Sequence, residues 1–74
     1  MKRTEIIRKR IKRTRTEKGY SQYYVGTRLN MSQIAYHKLE NGKTQLKVET
    51  LLELANILEV KESYLLACED NLFT

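Results

Sequence analysis

The sequence predicts an all-α fold: a small bundle of five short helices. Three observations carry this expectation. Apolar residues recur at three- and four-residue spacing along almost the whole chain. There is no proline and there are only three glycines in 74 residues, too few for the turns of a sandwich or barrel. Two Ser-Gln pairs, Ser21-Gln22 and Ser32-Gln33, each precede a short amphipathic stretch, and each serine can cap a helix.

The elements follow in chain order. Ile7, Ile11 and Thr14 fall at i, i+4 and i+7, which predicts a first helix over about residues 4–18. Its other positions are mostly Arg and Lys, so its outer face is cationic. Gly19 suits the left-handed position just past a helix end. Ser21 then caps a second helix from Gln22 to about Leu29, with Val25 and Leu29 on one side. Asn30 tolerates a left-handed conformation and ends it. Ser32 caps a third helix from Gln33 to about Asn41, and Gly42 stops it. Residues 43–47 read as a polar loop. Val48, Leu51, Leu52, Ala55 and Leu58 form the apolar stripe of a fourth helix. Val60, Tyr64 and Leu65 indicate a short fifth. The expected organisation is one domain over residues 1–74, with a helical core at about 4–66 and a short C-terminal tail at 67–74. No internal repeat or linker interrupts it.

Charge is divided unevenly. Residues 1–47 hold thirteen basic and three acidic side chains, a net +10, whereas residues 48–74 hold one basic and six acidic, a net −5. A basic front and an acidic back point to a polyanionic partner on one side, nucleic acid first among them. A solvated basic helix without a partner is the plainer reading of the same charges.

Other classes fit poorly. A chain this short buries only roughly 60% of its unfolded surface, leaving little with which to enclose a catalytic cleft. No Ser–His–Asp set, Cys–His pair or phosphate loop stands out, so an enzyme is not expected. His37 and Cys68 are the single histidine and cysteine. Neither has metal-ligand spacing around it, and no metal, cofactor or small-molecule ligand is expected. One cysteine also precludes an internal disulfide and fits the cytoplasm. No apolar run approaches the ~18 residues of a membrane span, and the N-terminus has no hydrophobic signal segment. Helix one is basic enough to lie on an anionic membrane, but the core needs its apolar stripe.

Two short helices joined through Asn30-Met31 suit a helix-turn-helix. Ser21-Gln22, Val25-Gly26, Asn30-Met31-Ser32-Gln33 and Leu39-Glu40-Asn41-Gly42-Lys43-Thr44 resemble the lambda-repressor-like, Cro-type helix-turn-helix family of bacterial and phage regulators. The resemblance spans roughly residues 6–66. It implies a five-helix DNA-binding domain whose third helix enters the major groove.

The residues of helix three support that placement. With Tyr36, Leu39 and Glu40 inward, Gln33, Ile34, His37, Lys38 and Asn41 share the outer face. Ile34 has no core to join there and can meet a thymine methyl; a rotated helix would instead bury it. Gln33 can donate and accept at an adenine edge. Lys38 can reach guanine acceptors or a phosphate, or simply remain solvated. Gln33, Ile34, His37 and Lys38 are therefore the candidate base-contacting residues. Gln22, in the first turn of helix two, can hold a phosphate beside free backbone N–H groups. Family resemblance implies the same role for Gln22, with a buttress to Gln33. Asn41, Lys43 and Thr44 follow the recognition helix and are the other candidate phosphate contacts.

Glu40 faces inward at the C-terminal end of its helix, where a carboxylate needs a cation. The resemblance pairs it with Arg15, which flanks the stripe of helix one, as a structural salt bridge. Gly26 stands mid-helix where the family usually has alanine, and a small residue lets helices two and three approach. Thr14 and Glu62 replace usual apolar residues, and Lys47 and Lys61 stand where serine-like caps are common. These departures suggest a domain of low stability that gains from a partner subunit. For Tyr23 and Tyr24 the alternatives are sugar-phosphate or protein contact and packing over helix one.

The expected function is sequence-specific double-stranded DNA binding, by a transcriptional repressor acting on an operator. The antitoxin of a toxin–antitoxin pair fits the same format, as does a protein-interaction module without DNA. A homodimer on an inverted-repeat operator is expected, because one recognition helix reads only a few base pairs. Ile57, Tyr64, Leu66, Leu72 and Phe73 on the acidic back are the apolar residues expected to join the copies. Leu72 and Phe73 alternatively fold back over helix five.

Overall fold

A computed structural model describes residues 2–66 and contains five helices and no strand among them. They are α1 (Arg3–Glu17), α2 (Gln22–Arg28), α3 (Gln33–Glu40), α4 (Val48–Leu58) and α5 (Glu62–Leu65). The fold is all-α. The expectations for Cys68, Leu72 and Phe73 concern residues outside those described.

Local chemistry sets the boundaries. The Ser21 hydroxyl accepts from Tyr24 N–H at 2.9 Å, and the Ser32 hydroxyl accepts from Ala35 N–H at 3.0 Å. Each satisfies one of the donors that a helix start leaves bare. Gly19 (φ 75°), Asn30 (φ 60°) and Gly42 (φ 83°) take left-handed conformations after α1, α2 and α3. Lys47 and Lys61 begin α4 and α5 without a side-chain cap. Glu59 ends α4 at φ 60°, an unusual residue for that conformation.

The core is one cluster. Ile7 and Ile11 from α1 meet Val25 from α2, Tyr36 and Leu39 from α3, the buried side of α4, and Leu65 from α5. Its closest approach is between α2 and α3. A Cβ added at Gly26 would stand 3.1 Å from Tyr36 Cβ and 3.4 Å from the Met31 and Ser32 carbonyl oxygens. Even alanine crowds this turn, which accounts for a glycine inside a helix despite its propensity cost of about 1 kcal/mol.

Two sequence expectations are corrected. The α4 stripe is rotated: Leu51, Leu54, Ala55, Ile57 and Leu58 are buried, whereas Val48 and Leu52 are exposed. This helix is apolar on most of its circumference, so spacing alone selects its inner side poorly. The same rotation removes Ile57 from the surface expected to join two copies. Leu66 packs against the core, and the Tyr64 ring lies under the Arg10 guanidinium at 5.0 Å. Thr14 occupies the α1 stripe as expected, but its hydroxyl is buried with no hydrogen-bond partner.

Candidate nucleic-acid interface

The site begins with a buried carboxylate. Tyr36 and Glu40 lie one turn apart on the inner side of α3, and both are buried. Arg15 crosses from α1 and donates to Glu40 through Nε at 2.8 Å and Nη2 at 2.9 Å. The Tyr36 hydroxyl donates to the same carboxylate at 2.7 Å, and Gln22 Nε2 donates from α2 at 3.1 Å. Arg15 Nη1 also donates to the Tyr20 carbonyl at 2.8 Å, in the connection between α1 and α2. Three helices thus converge on Glu40. Burial pushes its carboxyl pKa up, but hydrogen bonds from Arg15, Tyr36 and Gln22 outweigh that and hold it below 4.5. The Arg15 guanidinium is held more firmly protonated by its hydrogen bond to Glu40. Burial, then donation to Glu40, raises the Tyr36 hydroxyl well above 10.0.

This anchor fixes how α3 is turned. Gln33, Ile34, His37 and Lys38 all lie on its exposed side, with Asn41 just beyond. Ile34 is 70% exposed, against the rotated alternative that would bury it. An isoleucine and four polar side chains therefore share one surface.

Gln22 lies partly buried between Glu40 and His37. Its carboxamide oxygen is 3.3 Å from His37 Nδ1, and Asn41 Nδ2 is 2.9 Å from His37 Nε2. That pairing fits a His37 with its proton on Nδ1, donating to Gln22 and accepting from Asn41. The buttress expected from Gln22 to Gln33 is not formed; Gln22 supports His37 instead. Its amide is committed on one side to Glu40, since a carboxylate attracts the N–H more strongly than a neutral amide does.

Lys43 and Thr44 lie exposed in the loop after α3. Arg8 of α1 holds this loop: Nε donates to the Leu39 carbonyl at 3.0 Å and Nη2 to the Thr44 carbonyl at 2.8 Å. It adds a second donor to the Leu39 carbonyl, which also accepts from Gly42 N–H at 3.3 Å, and ties the loop carbonyl of Thr44 to α1. Sequence reasoning missed Arg8, because nothing in the cationic face of α1 marks which arginine meets a helix end.

Neither tyrosine of α2 is covered by α1. Tyr23 is exposed, while Tyr24 packs against Tyr20 at a ring separation of 4.7 Å. The Tyr24 hydroxyl accepts from Arg28 at 2.9 Å.

Comparison with known proteins gives the arrangement a family. The "Helix-turn-helix" family model matches residues 11–65. A relative from Bacillus subtilis (strain 168) bears the name "SPbeta prophage-derived uncharacterized HTH-type transcriptional regulator YonR" and is 42% identical over 57 residues. The matched stretch covers 77% of this chain and 53% of the relative, so the chain spans about half the length of that protein. No solved structure gives a significant match. With the latter part of α1 and all of α2–α5 inside the matched segment, the chain belongs to the helix-turn-helix family.

Proposed function

We propose that the chain binds double-stranded DNA in a sequence-specific manner, acting as a transcriptional repressor on an operator. The observation that carries this reading is the exposed side of α3, where Ile34 is 70% solvent-accessible among Gln33, His37 and Lys38. In a monomeric domain such an isoleucine faces water, whereas in a major groove it meets a thymine methyl. Gln33 reads an adenine edge, and Lys38 and His37 reach neighbouring base positions. Gln22, Asn41, Lys43 and Thr44 hold phosphates on either side and set the register. The regulator named among the relatives supports the same reading.

Two copies act on an inverted repeat, because one α3 covers too few base pairs to define a site. Half-site centres then lie about 10 base pairs apart. Footprinting of a single unrepeated half-site, with a one-to-one complex in ultracentrifugation, would reject the dimer.

Selection of bound sequences from random duplex DNA tests the whole reading. Gln33→Ala is expected to cost about 1–3 kcal/mol on the selected site and little on random DNA. Equal losses on both would remove α3 from the base-reading role.

A further inference from the structure

We propose that α1 carries a second phosphate-binding track, in which Lys9 and Lys12 hold DNA backbone flanking the bases read by α3. The inference rests on the DNA-binding reading above and extends the interface to a helix outside the two-helix motif.

A groove of about 580 Å³ runs between α1 and the end of α3. Lys2, Arg8, Lys9 and Lys12 line one side, with Asn41 and Gly42 on the other. At 100° per residue, Lys9 and Lys12 lie about 60° apart on α1, and Lys2 precedes the helix in an extended conformation. Lys9 and Lys12 are separated by about 4.5 Å along the helix axis. Glu5 and Glu40 also line the groove, but Glu40 is already neutralised by Arg15. Its surface charge is therefore predominantly positive.

Nothing within the fold uses the two lysines. Both are exposed, and neither side chain forms a hydrogen bond or ion pair with a described residue. The neighbouring arginines differ: Arg8 is committed to the Leu39 and Thr44 carbonyls, and Arg13 to the Tyr64 hydroxyl at 3.2 Å. Two α1 lysines without a side-chain partner thus stand where the helix passes the end of α3. The Arg8 bonds hold that groove against the loop bearing Lys43 and Thr44. This continuity places Lys9 and Lys12 beside the phosphate contacts already assigned, and their charge suits the next phosphates along the backbone.

The test compares wild-type protein, the Lys9→Ala/Lys12→Ala double variant and Gln33→Ala. Each is titrated against the selected site trimmed to its recognised base pairs, and against the same site extended by one helical turn at each end. Wild type should bind the longer duplex several-fold more tightly at low salt. The double variant should lose that gain, and its log K against log salt slope should be shallower by about 3.6 for the two bound copies, roughly 0.9 for each of four contacts. Its preference for the selected sequence over random DNA should be unchanged, as should its melting temperature. Retention of both the length gain and the wild-type slope would overturn the track while leaving the α3 reading intact. Wild type that prefers no duplex would overturn both. A double variant that loses sequence preference as Gln33→Ala does would place the lysines among the base readers and overturn the flanking role.

Discussion

The two halves of this molecule are held in different ways. In the front half, serine hydroxyls cap α2 and α3, and Glu40 receives hydrogen bonds from side chains on α1, α2 and α3. In the back half, α4 and α5 start uncapped on Lys47 and Lys61, and Glu59 adopts a left-handed conformation. Leucines and isoleucine bury α4 against the core. Directional bonds specify one orientation, whereas apolar burial tolerates several. The half that presents the candidate DNA-reading residues is the half whose orientation is fixed by directional bonds.

Removal of the central cation gives the largest expected effect. Arg15→Ala leaves Glu40 buried without its counterion and is expected to cost about 3–5 kcal/mol. Replacing Arg15 and Glu40 together by well-packed apolar residues should restore much of that stability. Thermal melting of the single and double variants checks both outcomes. An unchanged melting temperature in Arg15→Ala would reduce the front half to the same apolar burial as the back.

Acid should weaken the front half first. Native Glu40 titrates below 4.5, so its contribution is complete above that value and is lost as pH falls through the depressed native value. Denaturant midpoints measured from neutral pH downward should show this loss, and Glu40→Gln should flatten that part of the profile.

The cap positions should respond with opposite signs. Ser32→Ala is expected to cost about 1 kcal/mol, while Lys47→Ser should gain a similar amount. Chemical denaturation resolves both. A loss in Lys47→Ser would show that the α4 start is already satisfied by other means.

Glu59→Gly should have the smallest effect, a gain of several tenths of a kcal/mol. Relief of the left-handed strain exceeds the added freedom of glycine in the unfolded chain. The Lys18–Glu59 pair lost with it is exposed and 3.6 Å apart, so it offsets little.

The same contrast explains what the sequence revealed. Ser21, Ser32, Asn30 and Gly42 act through their own backbone neighbours, so a short window sufficed to place the bounds of α2 and α3. The outer side of α3 was legible because its polar and apolar residues alternate at helical spacing. The α4 side was not, because Val48, Leu51, Leu52, Leu54 and Ile57 leave the periodicity degenerate. The links from Arg8 to the Leu39 carbonyl and from Tyr36 to Glu40 were also hidden. The first spans 31 residues, and the second depends on burial created by other helices.

One consequence of α3 concerns how such a protein diverges. Tyr36, Leu39 and Glu40 face the interior, while Gln33, Ile34 and Lys38 face out. Within eight residues the helix separates positions that must be kept from positions free to change. Gln33, Ile34 and Lys38 form no hydrogen bond with the carboxylate beneath them, so exchanging them leaves the scaffold's internal bonds in place. On the DNA-binding reading proposed above, mutation there would explore new target sequences without first repairing the fold. His37 is the exception, since its ring is tied through Gln22 to Glu40. Changing that position removes one exposed contact of Gln22, at 3.3 Å, and leaves the Gln22 bond to Glu40 in place.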